Sequence, residues 1–170
     1  MDVTAGPMRL HVDPDTGTPY WYFTYKVVNN TGDDQRFAPK LELVDDEGRI
    51  TVSGQGVPSQ ITRDLLRQMN NPLLEDQNTI LGDILQGEAN AKEGLVVFQV
   101  TKLASKELFL YVSNVSNERE GTRDANGDPA ELRRQFMVAY RVPGDAMARG
   151  SDALELVDEA KEPNPRWIWR

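Results

Sequence analysis

The stretch RDANGDPAE places Asp124, Asn126 and Asp128 at alternate positions, with Glu131 following. Hard oxygen donors at that spacing match the opening of a calcium-binding loop. The rest of such a loop is missing. Gly127 precedes Asp128 instead of following it, Pro129 intrudes, and no Glu stands where the bidentate ligand belongs. Asn126-Gly127 is equally the signature of a tight hairpin turn. The three residues are a candidate Ca2+ site weighed against a plain turn.

Other chemistry has thinner support. His11 is the only histidine, with no Gly-x-Ser-x-Gly and no second histidine to share a metal. It reads as a strand residue. Asp33-Asp34 and Asp45-Asp46 sit in turns, where Asp is recruited to bond the backbone. Among 27 acids some pair will fall at glycosidase spacing by chance. DPDTGT, with Asp13, Asp15 and Thr16, is a weaker metal candidate. SGQGVPSQ (53–60) leads into a helix start that could hold an anion, but it lacks the Lys and spacing of a phosphate loop. The chain has no cysteine, which removes thiol nucleophiles, disulfides and Cys-based metal sites. We expect no catalytic residue and no enzyme.

The aromatics offer binding surface instead. YWYFTYKVV alternates Trp21, Phe23, Tyr25 and Val27 with Tyr20, Tyr22, Thr24, Lys26 and Val28. Period two with Thr and Lys on one side marks a half-buried strand. The odd face is assigned to the core. Tyr20 and Tyr22 project from the other face, as a binding platform or as residues packed beneath a helix. PNPRWIWR at the C-terminal end puts Trp167 and Trp169 on one side of any extended segment. Uncovered, they would be a liability. Residues 163–170 therefore add a strand to their own sandwich or to a neighbour's, the first being preferred.

The elements that position these residues are mostly strands. Turn signals at 13–17, 29–34 and 45–48 separate apolar alternation through Arg9–Val12, Tyr20–Val28 and two strands in RFAPKLELVDDEGRITV. Pro39 marks an edge or a bulge there. Ile61, Leu65 and Met69 recur at helical spacing, with a start at Pro58-Ser59 and a stop at Asn70-Asn71-Pro72. One helix over about 58–71 is predicted, covering an open end of the sheets. Ile80, Ile84 and Leu85 are expected inside. Strands resume at GLVVFQVTK, ELFLYVSNV and ELRRQFMVAYRVPG, the last two joined by a long loop over 116–130; a polar stretch follows Gly144.

At 170 residues, 39% hydrophobic and 27% charged, the chain is read as one domain over 1–170. A net charge of -8 with no Lys/Arg cluster opposes nucleic acid, and no apolar window is long enough for a membrane span. The opening MDVTAGPMRL lacks the basic start and apolar centre of a signal peptide.

Several blocks together are familiar: DPDTGTPYWYFTYKVVNNTGDD, VPSQITRDLLRQMNNPLL, ILQGEANAKEGLVVFQV, VAYRVPGDA and WIWR. They resemble a group of uncharacterised, exported proteins of planctomycete-type bacteria. The YKVVNNT strand and GLVVFQV are similar, more loosely, to bacterial extracytoplasmic immunoglobulin-like (telokin-like) domains. The resemblance implies a binding or accessory module outside the cytoplasm, periplasmic or extracellular, with its signal peptide absent from this sequence. It transfers no catalytic residue. The combined expectation is an all-β, antiparallel, immunoglobulin-like sandwich with one inserted α-helix, a closed barrel being the alternative. Its role is non-enzymatic protein binding or self-association through Tyr20, Tyr22, Trp167 and Trp169. A carbohydrate-binding accessory domain, or an acid-catalysed hydrolase, are the other readings. No cofactor is expected unless Ca2+ binds at Asp124, Asn126 and Asp128.

Overall fold

The structure, a computed structural model, describes residues 1–100, 102–157 and 163–170. Thr101, in the GLVVFQVTK segment, and residues 158–162 of the polar stretch lie outside the described residues. The described chain begins with β1 (Asp2–Ala5), β2 (Arg9–Val12), β3 (Pro19–Val28), β4 (Gln35–Phe37), β5 (Lys40–Asp45) and β6 (Ile50–Val52). The helix α1 (Ser59–Met69) follows, then β7 (Leu74–Asp76), β8 (Gly82–Ile84), β9 (Lys92–Gln99) and β10 (Glu107–Ser113). The last strands are β11 (Arg119–Arg123), β12 (Pro129–Arg141), β13 (Glu155–Leu156) and β14 (Arg166–Trp169).

Two sheets face each other. In the first, β1 and β2 run along one side of β3, β9 lies on the other, and β7 lies beyond β9. All these pairs are antiparallel except β7–β9. The second sheet contains β6, β5, β10 and β12, and β12 also pairs with β11, β13 and β14. The sheets are open, so the architecture is an all-β sandwich and not a closed barrel. β4 and β8 form a separate ribbon. Pro39 stands between β4 and β5, where the chain changes sheet; having no N–H to donate, it suits that break.

The odd face of β3 is in the core as expected: Trp21, Phe23, Tyr25 and Val27 are all nearly inaccessible. They meet Leu41 and Leu43 of β5, Leu108, Leu110 and Val112 of β10, and Phe136, Val138 and Tyr140 of β12. Ile80 and Ile84 join this core, but Leu85 is 52% exposed, contrary to expectation. The alternation that buries Ile84 on β8 carries its neighbour outward.

The helix does not cover an open end. It lies across the outer face of the first sheet, where Ile61 and Leu65 pack with Tyr20, Tyr22, Leu74, Leu95 and Val97. β9 is consequently buried on both faces, which explains its unbroken apolar run LVVF. The helix stops at Asn70, whose left-handed backbone (φ 48°) returns its N–H to Leu66 O at 3.2 Å.

The segment expected as a long loop is largely strand. β10 pairs with β12 up to Val112↔Phe136, and β11 pairs from Arg119↔Arg133 onward. Residues 113–118 therefore bulge against residues 134–135, and Arg134 N donates to Glu118 O at 3.2 Å on the same side as β10. The loop proper shrinks to the turn between Arg123 and Pro129.

Two side chains act as pieces of backbone. Asn29 is fully buried; its Nδ2 donates to the carbonyls of Asp33 (2.9 Å) and Ile84 (2.8 Å), and its Oδ1 accepts from Thr31. Asn164 accepts from Ala139 N at 2.9 Å and donates to Ala139 O at 2.7 Å, standing in for a strand residue between β13 and β14. Each satisfies backbone groups that would be costly to strand.

The two core tyrosines differ in their hydroxyls. Tyr140 Oη donates to Gly6 O at 3.1 Å, tying β12 to the break between β1 and β2. Tyr25 Oη is buried with no hydrogen-bond partner among the described residues, and its ring covers Gly94, where a Cβ would lie 2.5 Å from ring atoms. Burial pushes both phenols well above their ordinary pKa. We expect Tyr140→Phe to cost about 1 kcal/mol in urea unfolding, and Tyr25→Phe to be neutral or stabilising, because only the first removes a bond. Equal losses in the two variants would contradict the assignment.

Candidate functional site

Tyr20 and Tyr22 do not form an open platform. They are 4% and 6% exposed, sealed by Ile61 and Leu65 of α1. This corrects their assignment as a binding face. The helix whose apolar stripe is legible in the sequence needs an apolar sheet face to lie on, and these tyrosines supply it. The carbohydrate-binding reading required them exposed and coplanar, and it loses its platform.

The tail folds back on its own chain. β14 pairs antiparallel with β12, from Arg134↔Trp169 to Met137↔Arg166, and Arg133 and Arg170 exchange backbone hydrogen bonds at 2.9 and 3.1 Å. Trp167 packs edge-on against Phe136 (5.6 Å between ring centroids), and the Arg134 guanidinium lies 5.0 Å from its centre. Ile168 joins Met137, Ala139 and Val157 on the opposite face. Arg170 lies 4.3 Å over the Tyr111 ring. Trp169 is different: it remains 42% exposed. The two tryptophans share a side of the strand, but only the first reaches the core.

The Asp124–Asp128 segment is a closed turn. Asp124 Oδ1 accepts from the N–H groups of Asn126 (2.8 Å) and Asp128 (3.0 Å), and Asp124 O accepts from Gly127 N at 3.0 Å. Arg123 Nη1 adds a bond to Gly127 O. The carboxylate that would lead a cation site is already engaged in shaping the hairpin. Among the described residues, no three His, Cys, Asp or Glu side chains gather as a metal-binding group.

The remaining candidates are dispersed. His11 is half-buried on β2, opposite Tyr20. Asp13 bonds the Thr16 hydroxyl (2.6 Å) and Asp15 N (3.1 Å), which hold its carboxyl below the usual range. Asp64 is lowered by Gln60 and Arg67 on its own helix. Burial pushes Asp76 and Asp45 upward, but hydrogen bonds outweigh it: from Thr79 and Asn78 for Asp76, and from Arg49 for Asp45. Asp45 lines a crevice of only about 10 Å³ with Trp21, Arg49 and Lys102. These downward displacements are what turns and ion pairs produce. A general acid near neutral pH needs the opposite. Ahead of α1, Gln77 and Gln99 crowd the positions where Gly54 and Gly56 would carry a Cβ, so those glycines serve packing.

Sequence reasoning missed the outer face of the second sheet. Ile50, Val44, Phe109 and Ala139 lie in register across β6, β5, β10 and β12. Ile50 is 53% exposed, while Val44, Phe109 and Tyr111 are half-buried. The signal was present: Phe109 and Tyr111 occupy the outward positions of ELFLYVS, where a solvated face would carry polar residues.

Comparison with family models, curated proteins and solved structures finds no match for the chain.

Deleting residues 163–170 should lower the melting temperature while leaving the solution mass that of the shortened chain, because β14 packs in cis. An unchanged melting temperature would contradict that packing. EDTA should leave the melting temperature of the intact protein unchanged, since the 124–128 turn is completed by its own hydrogen bonds; a fall would place an ion there.

Proposed function

We propose that the chain is a non-enzymatic, immunoglobulin-like extracytoplasmic module that binds a protein, whether another chain or a second copy of itself. The observation that supports it is the open edge of β14, which pairs only with β12 among the described residues and carries the exposed Trp169. Because Arg133 and Arg170 form a hydrogen-bonded pair, alternation turns the N–H and C=O of Trp167 and Trp169 away from β12. An unpaired edge beside an amphipathic aromatic is suited to receiving a partner strand. The adjoining apolar outer face, through Ile168, Tyr111 and Phe109, extends that surface. The extracytoplasmic location rests on the family resemblance of the sequence blocks.

Photo-crosslinking tests this reading. A photoreactive phenylalanine at Trp169 should yield an adduct of defined mass, double the chain's own for self-association or another value for a partner. The same probe at Met147, as exposed as Trp169 (41% against 42%) but in the turn region between β12 and β13 and on no strand, should not. Trp169→Pro, which removes the outward N–H, should abolish adducts of a probe placed at Arg166. No adduct from position 169, or equal adducts from 147, would contradict the proposal.

A further inference from the structure

The bulge that interrupts the β10–β12 hairpin opens a polar groove. Two adjoining cavities of about 350 and 290 Å³ share Arg36, Asn114, Ser116, Asn117 and Glu118 in their walls. Arg119 and Arg133 close the second. Two features of these walls are unusual for a chain of net charge -8.

First, Arg119 and Arg133 are direct cross-strand partners, a placement that is unfavourable for like charges. One carboxylate serves both: Glu131 Oε1 accepts from Arg119 Nη1 at 2.8 Å and lies 3.5 Å from Arg133 Nε. Second, Arg36 forms no ion pair among the described residues, although Asp83 is its cross-strand partner on β8, and the acid in the groove walls, Glu118, is engaged by Arg134. The groove therefore holds three guanidiniums, two of them sharing the single carboxylate of Glu131, while Glu118 is engaged by Arg134. Asn114 opens the bulge with a left-handed backbone (φ 62°), a conformation asparagine tolerates.

We propose that this groove binds an acidic peptide segment, its carboxylates taken by Arg36 and Arg133 and its backbone by the amides of Asn114 and Asn117. Guanidinium forks match carboxylates bidentately. The walls contain no aromatic ring, so a sugar would find no stacking platform. Nucleic acid bases would find no ring to stack on either. The groove lies on the β11 side of β12 and the open edge beyond β14; the backbone pair of Arg133 and Arg170 joins them.

Calorimetric titration of the intact protein with poly-L-glutamate and with a short Glu-rich peptide tests the assignment, with heparin as the comparator. Both acidic peptides should bind, more weakly as salt rises. The double variant Arg36→Glu, Arg133→Glu should reduce affinity at least about tenfold, as expected when attraction becomes like-charge repulsion. Both side chains are exposed, so the variant should stay folded, its melting temperature lower by no more than a few degrees because Arg36→Glu faces Asp83 across β4 and β8. Amide resonances of residues 114–118 should shift with peptide and not in the variant. Absence of binding, unaltered binding in the variant, or binding of heparin without peptide would each overturn the proposal.

Discussion

Burial of the β3–β9 pair on both of its faces is the constraint from which the rest of the structure follows. Trp21, Phe23, Val96 and Phe98 face the second sheet; Tyr20, Tyr22, Leu95 and Val97 face the helix, and none is more than 6% exposed. Two strands with apolar side chains on both sides cannot rest against water on either. One side recruits a whole sheet. The other recruits α1, an eleven-residue helix too short to persist alone and stabilised by the face it covers. Gly94 belongs to the same solution, since the Tyr25 ring needs the space a side chain would fill.

Once the layers are stacked, the remaining problem is strand ends and edges. Amide side chains solve much of it. Asn29 closes the loop after β3 onto Ile84, and Asn164 supplies the rung missing between β13 and β14. Carboxylates do comparable work in turns, where Asp13, Asp45, Asp76 and Asp124 each bond nearby N–H groups. With these acids given to architecture, the opportunities for recognition lie on surfaces: an open strand edge with Trp169, and a cationic groove at the hairpin bulge.

The legible parts of the sequence were those where one periodicity acted alone. YWYFTYKV alternates cleanly, and its odd face lies in the core. Ile61, Leu65 and Met69 recur at helical spacing, and the helix is found within a residue or two of the expected ends. Position in space was harder to read. Nothing local says which sheet face a helix will cover, so Tyr20 and Tyr22 could be read as a surface or as residues beneath a helix, and the second holds. The 116–130 segment is rich in turn formers and charge, yet it becomes a ribbon because β12 is long enough to template it. The groove is still less visible: Arg36 and Arg133 are far apart in sequence, and only the bulge brings them to one cavity.

Native-state hydrogen exchange tests the two-sided burial most directly. The amides of Tyr22, Phe23, Val96 and Val97 should exchange only through global unfolding, with protection equal to the full unfolding free energy. Leu65→Ala should lower that protection across both strands by an equal amount, as it would if helix and sheets form one cooperative unit. Exchange of these amides through local opening, with α1 leaving while the two sheets stay folded, would contradict the account.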